Sequence, residues 1–166
     1  MVKSVFSKMM GVGRATVFTV GLAMILAVVL GVATAALGAP KTIVLEARAT
    51  AINDFVDVTG DGPSPGDIYV FKDELFDARN TSVKVGQAEG RCNLIDPAAG
   101  RFECTIVSSL QDGTITTDGI LVNVPGATSV GSVTGGTGVY RGATGEGSLD
   151  LGPPEGPHKI RFVLLP

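Results

Sequence analysis

The fold is decided by alternating runs such as DIYVFKDEL, residues 67–75, in which side chains of different character follow one another with a period of two. Successive side chains of a β-strand point to opposite faces, so one face of this run carries two aromatic rings, one carboxylate and one leucine. These residues are Tyr69, Phe71, Asp73 and Leu75. If this face lines a closed interior, burial raises the pKa of the Asp73 carboxyl and makes it a proton donor or acceptor. The alternative is an edge strand with Asp73 at a solvated end.

The same alternation recurs along the chain after residue 40. Apolar spacing typical of an amphipathic helix is missing there, whereas runs of period two are bounded by Gly, Pro, Asp and Asn. Short links favour antiparallel pairing, and eight such strands can close into a barrel that holds one small ligand. We therefore predict an all-β fold of eight strands with an antiparallel up-and-down or meander topology, which is able to close into a barrel. Its strands are predicted at 41–52, 67–76, 83–95, 101–110, 114–124, 127–134, 139–151 and 158–165.

Composition narrows the classes of partner. The chain has 166 residues, 45% of them hydrophobic and 17% charged, which fits one compact domain. All 16 acidic residues lie after residue 40, against only ten of the 13 basic ones. We expect no nucleic-acid partner, because a phosphate backbone is bound by clustered Lys and Arg. A zinc site built from His and Cys would need the single His and both Cys, so we expect no metal site. We also expect no other cofactor.

The first 40 residues have the layout of an export signal. Three basic residues precede an apolar run, 15–37, which ends in small residues that include an A-x-A-like cleavage site at 33–35. The alternative is an uncleaved membrane anchor, since about 20 apolar residues can span a bilayer. In either case we expect a secreted or extracytoplasmic domain, in contact with a membrane only if the segment is retained. The predicted boundaries are 1–35 for the signal peptide, 36–40 for a short linker and 41–166 for the barrel.

An oxidising compartment favours a disulfide between the two cysteines. Cys92 and Cys104 flank the turn sequence DPAAG, residues 96–100. A hairpin centred on this turn sets the two cysteines opposite each other. The sequence therefore permits a disulfide that stabilises the fold by about 3 kcal/mol.

Two other features have competing interpretations. Glu46 and Arg48 are two residues apart on the first strand and share a face, so they form either an exposed ion pair or, inside a barrel, a charged anchor for a polar substrate group. His158 has no Ser or Cys partner at a diagnostic spacing, and we do not expect a hydrolytic triad.

Several segments, in this order, resemble the dirigent and allene oxide cyclase superfamily across residues 43–151. They are GDIYVFKDEL (66–75), VGQAEG (85–90), GTITTDG (113–119) and VTGGTGVY (133–140) followed by GATGE (142–146). The resemblance implies an eight-stranded antiparallel barrel with an apolar lumen. Plant members of both branches are commonly trimers, so it also implies a homo-oligomer.

The resemblance further implies two catalytic acids. In the cyclases, a Glu within a Val-x-Glu pattern on the first strand and an Asn near the end of the second assist epoxide opening. Glu46 matches the first, whereas Asp73 stands at the Asn position and matches instead a catalytic Asp of dirigent proteins. Arg48 replaces another cyclase Asn, so a plant-type substrate is not implied.

Two functions follow as hypotheses. In the first, the barrel binds a hydrophobic unsaturated small molecule and steers its cyclisation, isomerisation or coupling without a redox cofactor, with Glu46 and Asp73 as acid/base groups. Its substrate-binding residues are then Arg48, Tyr69, Phe71 and Leu75. In the second, the barrel is a non-catalytic ligand-binding or surface protein. A cavity that contains Glu46 or Asp73 favours the first, and a lumen filled by its own side chains favours the second.

Overall fold

A computed structural model describes residues 38–153 and 156–166. Its strands form a closed antiparallel barrel in chain order, with β8 paired back onto β1. The strands are β1 (Lys41–Val56), β2 (Ile68–Asp77), β3 (Asn80–Asp96), β4 (Arg101–Leu110), β5 (Gly113–Val122), β6 (Thr128–Gly136), β7 (Gly145–Asp150) and β8 (His158–Leu164). The predicted eight-stranded antiparallel barrel is confirmed. The predicted signal peptide lies outside the described residues, and none of the helices within them is long and apolar enough to cross a membrane.

The segment predicted as a strand over 139–151 differs from the prediction. The chain forms one turn of 3-10 helix, Gly138–Tyr140, and β7 begins only at Gly145. Gly138 has φ +60° and Gly145 has φ +142°, conformations that residues with a Cβ rarely adopt. This turn contributes to packing, because it places the buried Tyr140 ring in the apolar cluster at one end of the barrel.

β1 is longer than predicted and irregular. It pairs with β8 from Lys41 to Ala47, and its register with β2 shifts between Ala49 and Asn53. The remainder of the strand, as far as Val56, pairs with β2 alone. This arrangement leaves an edge of β1 beside the start of β8.

Two apolar clusters lie inside the barrel. The Phe162 cluster at the Tyr140 end comprises Leu45, Ala47, Leu75, Ala88, Ile115, Val133, Tyr140, Phe162 and Leu164. The disulfide cluster towards the other end comprises Cys92, Leu94, Phe102, Cys104 and Leu121. Cys92 is paired with Cys104 across β3 and β4, as the hairpin predicts, and the two form a disulfide. Full burial of each large apolar side chain contributes about 1.5–3 kcal/mol, so these clusters hold the barrel closed.

Candidate functional site

A cavity of about 70 Å³ lies between the two clusters. One wall of it is a row of glycines in register on β5, β6 and β7: Gly119, Gly131 and Gly147. Because glycine has no side chain, three neighbouring inward positions leave the lumen empty there. The rest of the wall is mostly apolar and includes Phe71, Ile106, Leu149, Ile160 and Phe162. We call this space the central cavity.

Asp73 places a carboxylate at the wall of the central cavity. It lies on the inner face of β2, between Ala49 of β1 and Ala88 of β3, and it exposes 9% of its surface. No group in residues 38–153 or 156–166 donates a hydrogen bond to its side chain. Burial raises the pKa of the Asp73 carboxyl, and the charge of His158 opposes part of that rise. The arrangement offers an unpaired acid or base to a bound molecule.

A second buried carboxylate, Asp67, has very different surroundings. It is fully buried, and its Oδ1 accepts the Val58 N–H at 2.8 Å while its Oδ2 accepts the Ser64 N–H at 2.6 Å. These bonds tie the loop between β1 and β2 to the start of β2. Asp67 is therefore structural, whereas Asp73 has its hydrogen-bonding capacity free.

The three apolar residues predicted beside Asp73 share its face but have different neighbours. Phe71 lines the central cavity. Its ring packs over Gly90 of β3, where an added Cβ would lie only 2.2 Å from Phe71 Cε1. Tyr69 stacks on Phe71 with ring centroids 5.6 Å apart, and its hydroxyl donates to Asn53 Oδ1. Leu75 is fully buried within the Phe162 cluster. Only Phe71 of the three is positioned to touch a molecule in the cavity.

Glu46 and Arg48 lie on the outer face of the barrel, which corrects the expectation that they enter the lumen. Their inward neighbour on β1 is Ala47, which is fully buried and packs beside Leu75 of β2. Arg48 Nε donates to Glu46 Oε1 at 2.8 Å, and the guanidinium lies 4.1 Å from the centre of the Phe76 ring. They form the exposed ion pair that was the competing interpretation. The physical reason is the period of two, which puts the apolar face of β1 inward.

Sequence reasoning missed the polar groups that the other strands contribute. His158 lies on the inner face of β8 opposite Ala47, and its Nδ1 accepts the Gly152 N–H at 3.1 Å. Ser108 of β4 and Thr117 of β5 line the central cavity with hydroxyl groups. The alternation of inward and outward residues along 101–110, 113–122 and 158–164 contained this signal. Within the described part of the chain, His, Cys, Asp and Glu do not form a group that could hold a metal ion.

Comparison with known proteins is consistent with this barrel. The family described as "Allene oxide cyclase barrel like domain" matches residues 46–160. No curated protein sequence matches the chain significantly. Three similar solved structures are a pyocyanin demethylase (24% identity, TM-score 0.65, 75% of this chain and 99% of that one), the exo-specific intermolecular Diels-Alderase AbnU (24%, 0.61, 78% and 100%) and the pterocarpan synthase dirigent protein PsPTS1 (15%, 0.56, 76% and 92%). At these identities the structures show a common fold.

Proposed function

The chain belongs to the family of allene oxide cyclase barrel-like domains, and from this premise we propose that its lumen binds a small, hydrophobic, unsaturated molecule and steers its cyclisation, isomerisation or coupling. The observation that carries the proposal is Asp73, a buried carboxylate without a protein hydrogen bond at the wall of an apolar cavity. Partial burial already raises the pKa of this carboxyl, and a bound molecule can supply the hydrogen-bond partner that the described residues do not.

The chemistry of this site is confinement combined with proton transfer. Apolar walls such as Phe71 and Phe162 restrict the conformations of a flexible substrate, which lowers the entropic part of the barrier. The raised pKa of Asp73 keeps a proton on the carboxyl at higher pH than an exposed Asp would. The carboxyl then donates a proton or hydrogen bond to a carbonyl or ether oxygen, or accepts one when ionised. No redox cofactor is needed for these steps.

The size of the cavity supports a second candidate function. A volume of about 70 Å³ is small beside the roughly 300–1,000 Å³ of drug-sized ligand pockets, so a substrate has to displace side chains such as Phe71. A lumen that is largely filled also suits a non-catalytic barrel that acts through its surface. The two candidates differ in whether anything enters the lumen.

Metabolite capture by the purified full chain tests the proposal. The protein is incubated with an extract of its source cells, and the bound molecules are released and identified by mass spectrometry. We expect an unsaturated apolar compound that wild-type protein converts and that Asp73→Asn binds without conversion. The matched control is Glu74→Gln, the next residue of β2, whose side chain faces outward and pairs with Lys84. Unchanged conversion by Asp73→Asn would contradict the catalytic role of Asp73, and no captured molecule at all would favour the non-catalytic barrel.

A further inference from the structure

The inner face of β4 is apolar except at Ser108. Along the strand, this face carries Phe102, Cys104, Ile106, Ser108 and Leu110. Ser108 exposes 1% of its surface and lines the central cavity. Burying a hydroxyl costs free energy unless it has a hydrogen-bond partner. The partner of this hydroxyl therefore has to be identified.

Ser108 and Asp73 lie in one row across the sheet. Asp73 of β2 is opposite Ala88 of β3, and Ala88 is opposite Ser108 of β4. Because neighbouring strands are about 4.8 Å apart, the Cα atoms of the two polar residues are about 10 Å apart, and their side chains converge on the concave inner face. Ala88 is fully buried and offers only a methyl group. A molecule that lies over Ala88 meets the carboxyl on one side and the hydroxyl on the other.

The protein itself does not satisfy the Ser108 hydroxyl. Its cross-strand neighbours, Ala88 and Ile115, have no polar side-chain atom. No hydrogen bond of the described residues involves Ser108 Oγ, and no fully enclosed polar side-chain atom among them lacks a partner. The hydroxyl therefore borders the cavity space and is free to bond to a molecule there.

Other polar side chains at the cavity wall are engaged or lie outside this row. Ser129 Oγ accepts a backbone N–H of β5 at 2.9 Å. The Asp118 carboxylate accepts hydrogen bonds from two threonine hydroxyls. Thr117 lies one row away. The row that crosses Ala88 thus carries a free carboxyl and a free hydroxyl.

Two free donors on either side of a methyl group fit one carbonyl oxygen, which has two lone pairs. We propose that the substrate is an α,β-unsaturated carbonyl compound and that Ser108 is a substrate-binding residue: its hydroxyl donates to the carbonyl oxygen, to which the protonated Asp73 carboxyl also donates. This inference rests on the proposed function and names the functional group of its substrate. Hydrogen bonds at that oxygen draw electron density from the conjugated double bond and stabilise negative charge that develops there during ring closure or isomerisation.

The test uses 2-cyclopenten-1-one and cyclopentene, rings of similar size that differ in the carbonyl group, as probes of the full chain. Both cysteines are joined in the disulfide, so neither thiol reacts with the enone. NMR titration measures the affinity of each probe, and infrared spectroscopy of ¹³C=O-labelled cyclopentenone measures hydrogen bonding to its oxygen. We expect the bound carbonyl of wild type to absorb at lower frequency than in an alkane solvent.

Ser108→Ala removes one oxygen atom from the cavity wall. We expect it to bind cyclopentenone several-fold more weakly than wild type, with a smaller shift of the carbonyl band, and to bind cyclopentene equally well. The matched control is Ser109→Ala, at the next residue of β4, whose side chain faces outward. This control should keep the wild-type affinities and the wild-type band.

Unchanged cyclopentenone binding by Ser108→Ala would overturn the inference and make Ser108 a packing residue. A bound carbonyl that absorbs as it does in an alkane would also overturn it, as would a wild type that does not bind cyclopentenone, and these measurements need no variant. Neither turnover nor a cell extract is involved. Failure here is therefore distinct from failure of the proposed function, which is decided by capture and conversion.

Discussion

Asp73 and Asp67 are both acids with little exposed surface, but their hydrogen-bond partners differ. Asp67 is fully buried and accepts backbone N–H groups, which replace the water that it loses on folding. Asp73 keeps 9% of its surface exposed, whereas Asp67 keeps none, and it lacks such donors among the described residues. Groups that a fold leaves unsatisfied in this way are found preferentially at functional sites.

Asp73→Asn should be more stable than wild type at neutral pH and lose that advantage in acid. Because the folded-state pKa is raised above the ordinary 3.8, the folded protein keeps its proton at a pH at which the unfolded chain has lost it. Wild-type stability therefore falls as pH rises from 3.8 through the folded-state pKa. Denaturant unfolding of both proteins at about pH 3 and about pH 7 measures the difference.

Other shifted groups do not disturb this comparison. Arg79 lowers the pKa of Asp77 to about 2, but that pair is the same in both proteins and cancels in the difference. A difference in unfolding free energy that is the same at both pH values would show that burial of the Asp73 charge is not its cause.

At the residue scale, the sequence predicted which residues share a face of a strand better than it predicted which face points into the barrel. Alternation alone put Tyr69, Phe71 and Asp73 on one face, and the structure confirms it. The match of Glu46 to a cyclase motif led to the expectation that its side chain faces the lumen. The opposite face of β1 is the apolar one, and that face points inward. The residue pattern of a strand defines two faces, and burial, which depends on the whole sheet, decides which is inside.

At the scale of the strands, β5 to β7 provide the space in which a ligand could lie. A Cβ on Gly147 would lie 2.9 Å from Thr117 Cγ2 and 3.5 Å from the Phe162 ring. The Thr117 methyl group has to shift to restore a normal contact, and both neighbours are side chains, not backbone. A substitution at this position therefore fills part of the cavity without breaking the barrel.

Gly147→Ala should fold and reduce the capacity of the central cavity. Small apolar cavities bind xenon or benzene, so xenon binding followed by NMR measures the cavity before any substrate is known. We expect several-fold weaker binding in Gly147→Ala than in wild type. The control is Gly135→Ala on β6, where an added Cβ meets nothing within 4 Å. Equal xenon binding by both variants would mean that the glycine row does not shape the cavity.

The β3–β4 hairpin depends on its disulfide for part of its stability. Cys92 and Cys104 are 12 residues apart and belong to the cluster at the end of the barrel away from Tyr140. We expect the double variant Cys92→Ala/Cys104→Ala to lose about 3 kcal/mol of unfolding free energy through the entropy of the open chain. Denaturant titration of wild type with and without a reductant is the companion measurement. A reduced wild type as stable as the oxidised one would contradict the prediction.

Strand positions were predicted correctly where the sequence marks a turn. The prediction failed where glycines change the backbone conformation. The DPAAG turn fixed the register of β3 and β4 to the residue. The segment 139–151 alternates like a strand, yet its positive-φ glycines divide it into a helical turn and a short β7. Alternation does not record backbone conformation, which here depends on Tyr140 packing into the barrel end.

At the scale of the whole molecule, closure of the barrel brings the inner faces of all eight strands around a single lumen. Each strand pairs with its chain neighbours, and β1 closes on β8, so every inner face meets the others. Strand count and turn signals indicated an antiparallel sheet that is able to close, and the family resemblance implied the closed barrel. The volume left inside was not predictable, because it depends on how glycines of different strands come into register.

Export should decide whether the disulfide forms. If residues 1–35 are a cleaved signal peptide, the exported protein begins near Ala36 and has both cysteines oxidised. Leu26→Arg, which places a charge within the apolar run, should leave the chain in the cytoplasm with reduced thiols. N-terminal sequencing and the mass added by thiol alkylation measure both outcomes. Exported protein that retains residues 1–35 would identify the segment as a membrane anchor, and unexported wild type with free thiols would contradict an extracytoplasmic location.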